Sequence, residues 1–216
     1  MNIVLLLASL FAAAQPSPTE VVFDAADGGR IVADVHGQGE NVVVLAHGAA
    51  FNKESWAPQA RALAARGHRV LAINFRGYGA STAGREGNAR YLDVLAAVRY
   101  ARAHGARSVS VVGASMGGGA AARAAVEAAP GEIDRLFLLS PVSIANPDAM
   151  HAGRIQYVAS RDEPMAPGIR DQFSRAPEPK RLELLDGSGH AQNIFTTDQG
   201  PALTALLLDF VKVHGP

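Results

Sequence analysis

The sequence predicts an α/β protein: a doubly wound, mostly parallel sheet with an antiparallel hairpin at its amino end and no lid. Three observations predict it. Two β-rich runs meet across Asp27-Gly28-Gly29, a hairpin signal, and strand and helix patterns then alternate strictly to the end of the chain. The later strands are continuous apolar runs, as needed where helices cover both faces of a sheet. Only about a dozen residues lie between Ser140 and Arg154, where a lid would need many more.

Each element has its own signal. Thr19–Phe23 and Arg30–His36 form the hairpin, placed at the sheet edge. Asn41–Ala46 (NVVVLA) reads as a buried strand. Lys53–Arg66 has helical period, with Trp56, Ala60, Leu63 and Ala64 on one side and Gly67 as its stop. Arg69–Asn74 is the next strand. Asn88–His104 is a helix turning Tyr91, Leu92, Leu95, Val98 and Tyr100 or Ala101 inward, closed by Gly105. A strand from Ser108 stops at Gly113, and an Ala-rich helix runs to about Ala129, ended by Pro130-Gly131. Arg135–Ser140, Arg154–Ser160 and Arg181–Leu185 supply three more strands. A short helix at Pro167–Arg175 and a final one over Thr197–Val213 complete the set, with a plain loop at Pro141-Val142-Ser143 and Asn146-Pro147. Parallel neighbours joined through helices require right-handed crossovers.

The 216 residues are 48% apolar and 19% charged, enough for one well-buried domain and short for two. No linker, repeat or low-complexity tract divides them. Twenty Lys and Arg balance twenty Asp and Glu, without a basic run, so neither nucleic acid nor an anionic membrane surface is an expected partner. The absence of cysteine excludes disulfides, thiolate catalysis, a lipoprotein anchor and cysteine–zinc sites. No His/Asp/Glu cluster has metal spacing and no Gly-rich loop precedes Lys-Ser or Lys-Thr, so no metal, nucleotide or other cofactor is expected.

Residues 1–14 read as a secretory signal. An apolar segment from Ile3 ends in Ala12-Ala13-Ala14, which suits cleavage after Ala14, although no Lys or Arg precedes it. The segment is too short to span a bilayer comfortably. Residues 15–18 then form a flexible mature amino end, residues 19–216 the domain, and the protein is expected to be exported without a stable membrane anchor. A buried or interfacial amino-terminal helix is the alternative, and would leave it cytoplasmic.

The stretch Ser108–Ala122 (SVSVVGASMGGGAAA) carries the chemistry. Its Gly-x-Ser-x-Gly pattern decides little in a chain with 22 glycines, but here it closes an apolar strand and opens a helix. A serine at the apex of so tight a turn needs a positive φ, and its neighbours two residues away must lack bulk. Its hydroxyl is then exposed at a helix amino end, where N–H groups favour a developing negative charge. On these residues the chain resembles the α/β-hydrolase family, with Ser115 at the position of the nucleophile. Asn74-Phe75-Arg76-Gly77-Tyr78-Gly79-Ala80-Ser81 also resembles that family's structural Asp-x-Arg-Gly-x-Gly-x-Ser turn, with Asn74 in place of Asp.

The resemblance implies further roles. The family's chain order is Ser, acid, His, and only His151, His190 and His214 follow Ser115. His190 stands in a flexible loop, Asp186-Gly187-Ser188-Gly189-His190, directly after the last strand, and is the expected base. Asp162, at the end of the strand RIQYVAS, is the expected acid, with Glu163 the neighbouring candidate; Ser160 or Ala159 replaces a usual glycine there. The loop His47-Gly48-Ala49-Ala50 resembles the family's His-Gly-x loop. It implies an oxyanion hole from the Ala49 N–H (Ala50 as fallback) and the Met116 N–H, with His47 as a structural hydrogen-bonder. Phe51, Trp56, Tyr78, Met116, Met165 and Phe195 are candidates for an open cleft's walls, none of them assigned.

The expected function is hydrolysis of a carboxylic ester, on a small molecule or a polymer, through an acyl-enzyme: Ser115 attacks, His190 moves the proton and Asp162 orients His190. The same residues would serve an amide, peptide or thioester. A non-catalytic binding scaffold of the same fold is the reading from another class. Nothing in the residues sets acyl or alcohol specificity or oligomeric state.

Overall fold

The computed structural model describes residues 17–212. The expected signal, residues 1–14, and Val213, the last residue of the expected final helix, lie outside them. Eight strands form one sheet: β1 Thr19–Asp24, β2 Arg30–His36, β3 Asn41–Ala46, β4 Arg69–Ile73, β5 Ser108–Ala114, β6 Arg135–Leu139, β7 Arg154–Ser160 and β8 Lys180–Leu185. Their order across the sheet is β1-β2-β4-β3-β5-β6-β7-β8. The β1–β2 and β2–β4 pairs are antiparallel and all others parallel, as the hairpin signal and the alternation predict.

Among the described residues, five α-helices cover the sheet: α1 Ala57–Ala64, α2 Arg90–Ala103, α3 Met116–Glu127, α4 Ala166–Arg175 and α5 Gly200–Phe210. The α2, α3 and α4 side buries Leu95, Val98, Ala121, Ala125 and Ile169 with the facing strand residues. The other side holds Trp56, Ala60 and Leu63 with Leu203, Leu207 and Phe210. Period alone placed Lys53–Arg66 and Thr197–Val213 as single helices. The structure gives a 3-10 turn at Lys53–Trp56 that runs directly into α1, which ends at Ala64, and an α5 that begins only at Gly200, after a separate 3-10 turn at Ala191–Thr196; α1 and α5 both carry proline in their first turn. Between β6 and β7 there is only loop and the 3-10 turn Pro147–Ala149, and no lid.

A buried ion cluster ties β1–β2 to the turn after β4. Arg76 donates to Asp27 at 2.8 and 3.0 Å and to Asp93 on α2 at 2.8 Å. All three side chains are buried. Hydrogen bonds from Arg76 hold the Asp27 carboxyl well below the usual carboxylate range, whereas burial pushes Asp93 up. Here lies the Arg76-Gly77-Tyr78-Gly79 stretch. Its role is structural: Ser81 Oγ accepts the Val32 N–H and donates to the Asn74 carbonyl, and Asn74 Oδ1 accepts the Lys53 N–H.

Candidate active site

Ser115 sits between β5 and α3 at φ 51°, in the left-handed region that an L-residue avoids unless its surroundings compel it. Gly113 and Gly117 make this turn possible. A Cβ on Gly117 would strike the Ala46 carbonyl and stand 2.6 Å from that of His47, and one on Gly113 would lie 2.8 Å from the Ala121 methyl. Strand, turn and helix therefore close on each other only with glycine at both positions.

His190 leaves the loop after β8 and places Nε2 2.8 Å from Ser115 Oγ. Its Nδ1 lies 2.6 Å from Glu163 Oε2. Asp162, the expected acid, is not at this position. Its side chain is exposed, while its N–H donates to the Gly187 carbonyl, extending the pairing of β7 with the β8 exit by two residues. The turn then carries Glu163 under the sheet edge, fully buried, and the longer glutamate side chain reaches the imidazole. The strand-end signal thus falls within one residue of the carboxylate that meets His190, and the turn's path, which the sequence does not display, decides which of the two reaches it.

Two serines complete the carboxylate's surroundings. Glu163 Oε1 accepts the Ser160 N–H at 2.9 Å and the Ser140 hydroxyl at 2.7 Å. Ser140 Oγ in turn accepts the Ala191 N–H at 3.1 Å. Among the described residues, the non-glycine positions with positive φ are Ser115, Ser140 (43°) and Ala191 (51°). All three lie at this site, where strained backbone concentrates in functional proteins.

On the other side of Ser115 is the loop after β3. The Gly48 N–H donates to Gln192 Oε1 at 2.8 Å, and Gln192 Nε2 donates to Ser55 Oγ at 2.9 Å. Gln192 thus fastens this loop to the segment that carries His190. His47 is buried, with Nδ1 2.8 Å from the Gly48 carbonyl and Nε2 accepting the Phe75 N–H at 3.3 Å. These partners fix the Nδ1–H tautomer, and burial pushes the imidazole below the ordinary histidine value, so it is neutral at pH 7. Its role is structural, as the loop motif implied. The expected oxyanion donors are a loop residue, Ala49, and the first residue of α3, Met116, whose N–H has no intrahelical partner. Tyr78 Oη donates to the Ala49 carbonyl at 3.0 Å.

Of the six cleft candidates, Trp56 is core: it is fully buried and packs edge-on against Phe195. Met116, the residue after Ser115, lines an open cavity of about 260 Å³. His151 bonds the Ala128 carbonyl instead of approaching Ser115, and His214 lies outside the described residues.

The family model for the alpha/beta hydrolase fold matches residues 41–194, more than half of the chain, and the protein belongs to that family. Solved structures agree in fold. The predicted CIB-like hydrolase from Thermoplasma acidophilum is 22% identical, with a TM-score of 0.72 over 90% of this chain and 98% of that one. An esterase from Exiguobacterium antarcticum is 16% identical (TM-score 0.71, covering 90% and 100%). The esterase RhEst1 from Rhodococcus sp. is 15% identical (TM-score 0.73, covering 93% and 100%). No curated protein sequence matches.

Proposed function

We propose that the protein is a serine hydrolase that cleaves carboxylic esters through an acyl-enzyme, with Ser115, His190 and Glu163 as its catalytic residues. The observation that carries this reading is the unbroken hydrogen-bond chain Ser115 Oγ–His190 Nε2 and His190 Nδ1–Glu163 Oε2. The buried carboxylate favours the Nδ1–H tautomer and leaves Nε2 free to take a proton. Two esterases among the structural neighbours are in keeping with the ester as substrate.

In this mechanism Ser115 Oγ attacks the ester carbonyl carbon as His190 Nε2 removes its proton. The Met116 and Ala49 N–H groups hold the oxyanion of the tetrahedral intermediate. The C–O bond to the alcohol breaks, and His190 returns the proton to the leaving oxygen. Water then repeats the sequence on the acyl-serine, releasing the acid and restoring Ser115. Glu163 holds the imidazole in place throughout and stabilises the imidazolium.

The test is turnover of p-nitrophenyl butyrate, with rapid acid quenching and mass spectrometry of the peptides. The proposal predicts turnover and a butyryl group on the peptide holding Ser115, both lost in Ser115→Ala. Equal turnover in Ser115→Ala would overturn it.

A further inference from the structure

The cavity lined by Met116 has a composition that the reaction itself does not require. Its floor is apolar, from Met116, Ala120 and Ile144, and its rim carries Arg90 and Arg123. No carboxylate lines it. Val142, on the same rim, is 42% exposed, and Val22 is the other large aliphatic side chain left so open among the described residues.

The two arginines differ. Arg123 is paired with Glu127 and stands over the Tyr91 ring at 5.6 Å, so its charge is largely answered. Glu86, the other acid nearby, lies at the Tyr91 hydroxyl and outside the cavity. Arg90, the first residue of α2, meets no carboxylate among the described residues, and its Nε is buried without a hydrogen-bond partner. A half-buried guanidinium in this condition is matched by an anion with planar oxygens.

The cavity adjoins the backbone of Ser115 through its lining residues Met116, Gly119 and Val142. The Val142 N–H donates to the Ser115 carbonyl at 3.1 Å, and the Gly119 N–H does so at 3.0 Å. Met116, Tyr91 and Ile144 pack on the α2–α3–α4 side of the sheet, whereas Ala191 and Ile194, next to His190, pack on the α1–α5 side. A leaving alcohol must stand beside His190 to receive its proton. An ester arm that reached this cavity from Ser115 would therefore be the acyl arm.

We infer that this cavity binds an acyl chain ending in a carboxylate, held by Arg90 at the rim. The preferred substrates are then half-esters of short aliphatic dicarboxylic acids. This rests on the serine-hydrolase reading above, since it assigns the acyl side of that same site.

The experiment compares mono-p-nitrophenyl adipate with p-nitrophenyl hexanoate, which has the same chain length without the charge. The wild type is expected to show at least a tenfold higher kcat/KM for the adipate, and added salt to reduce that ratio. Arg90→Met should lower the adipate-to-hexanoate ratio at least fivefold, and Arg90→Lys should restore part of it. Because the readout is a ratio within one protein sample, partial loss of folded enzyme leaves it unchanged. Turnover of hexanoate with an adipate ratio of one or below overturns this inference alone. A ratio unaltered by Arg90→Met also overturns it. No turnover of either ester, with no acyl group on Ser115, removes the serine-hydrolase reading and this inference together.

Discussion

The Ser140 hydroxyl donates to Glu163 Oε1 at 2.7 Å, on the carboxylate oxygen that His190 does not use. The same oxygen of Ser140 accepts the Ala191 N–H, immediately after the histidine. One buried side chain therefore sets both the carboxylate's rotation and the path of the loop that delivers the imidazole.

Ser140→Ala removes both bonds and leaves the Ala191 N–H without this acceptor. A hydrogen bond to a charged group contributes about 1.5–3 kcal/mol, so kcat should fall about tenfold or more, with KM nearly constant. Steady-state kinetics on p-nitrophenyl butyrate checks this split. A change confined to KM would contradict the positioning role.

Gln192 joins the Gly48-Ala49 loop to the histidine segment through the Gly48 N–H and Ser55. Gln192→Ala frees that N–H and loosens the loop that carries Ala49, the proposed oxyanion donor. We expect kcat to fall roughly tenfold, the order set by about 1.4 kcal/mol of lost transition-state stabilisation. Unchanged kcat in the variant would assign Gln192 to stability alone, and a thermal melt on the same sample would read that effect.

The order of strands and helices was legible because β3, β4 and β5 are apolar runs and Gly113, Gly117 and Gly67 punctuate them. Ser115 and His190 were legible for a similar reason: each stands where a strand ends and a loop must turn. The acid was not. Asp162 and Glu163 differ by one position, and only the continued pairing of Arg161 and Asp162 with Leu185 and Gly187 turns the first outward and the second inward. Ser140 and Gln192 act across 23 and 144 residues of chain. Such partners leave no local pattern. Asp93 is likewise buried against a partner distant in the chain, Arg76.

The Asp27–Arg76–Asp93 cluster predicts an acid limb of stability. The folded carboxyl of Asp27 is depressed by Arg76, so its contribution is fully present above the unfolded carboxylate value, about pH 4, and is lost as the pH falls below it. Asp93, pushed up by burial, works in the opposite direction. Asp27→Asn should cost about 3 kcal/mol at pH 7, near the low end for a broken buried pair because Arg76 keeps Asp93. The loss of stability between pH 4 and 2 should be shallower in the variant. Urea unfolding across that range measures both, and parallel curves would contradict the assignment.

The amino-terminal segment gives a prediction independent of the site. We propose that residues 1–14 direct export and are removed after Ala14. Expressed in a bacterial host, the exported protein should begin at Gln15 by intact-mass and amino-terminal peptide analysis. Recovery with Met1 retained, in the cytoplasm only, would contradict it.

The most direct measurement of the central claim is the rate of labelling by a fluorophosphonate probe in four proteins. Wild type and Asp162→Asn should label at the same rate, within about twofold, since Asp162 stands outside the site. Ser115→Ala should not label. Glu163→Gln should label about ten-thousandfold more slowly, the order of loss when the acid can no longer fix the histidine tautomer. Slow labelling of Asp162→Asn beside fast labelling of Glu163→Gln would contradict the Ser115–His190–Glu163 assignment.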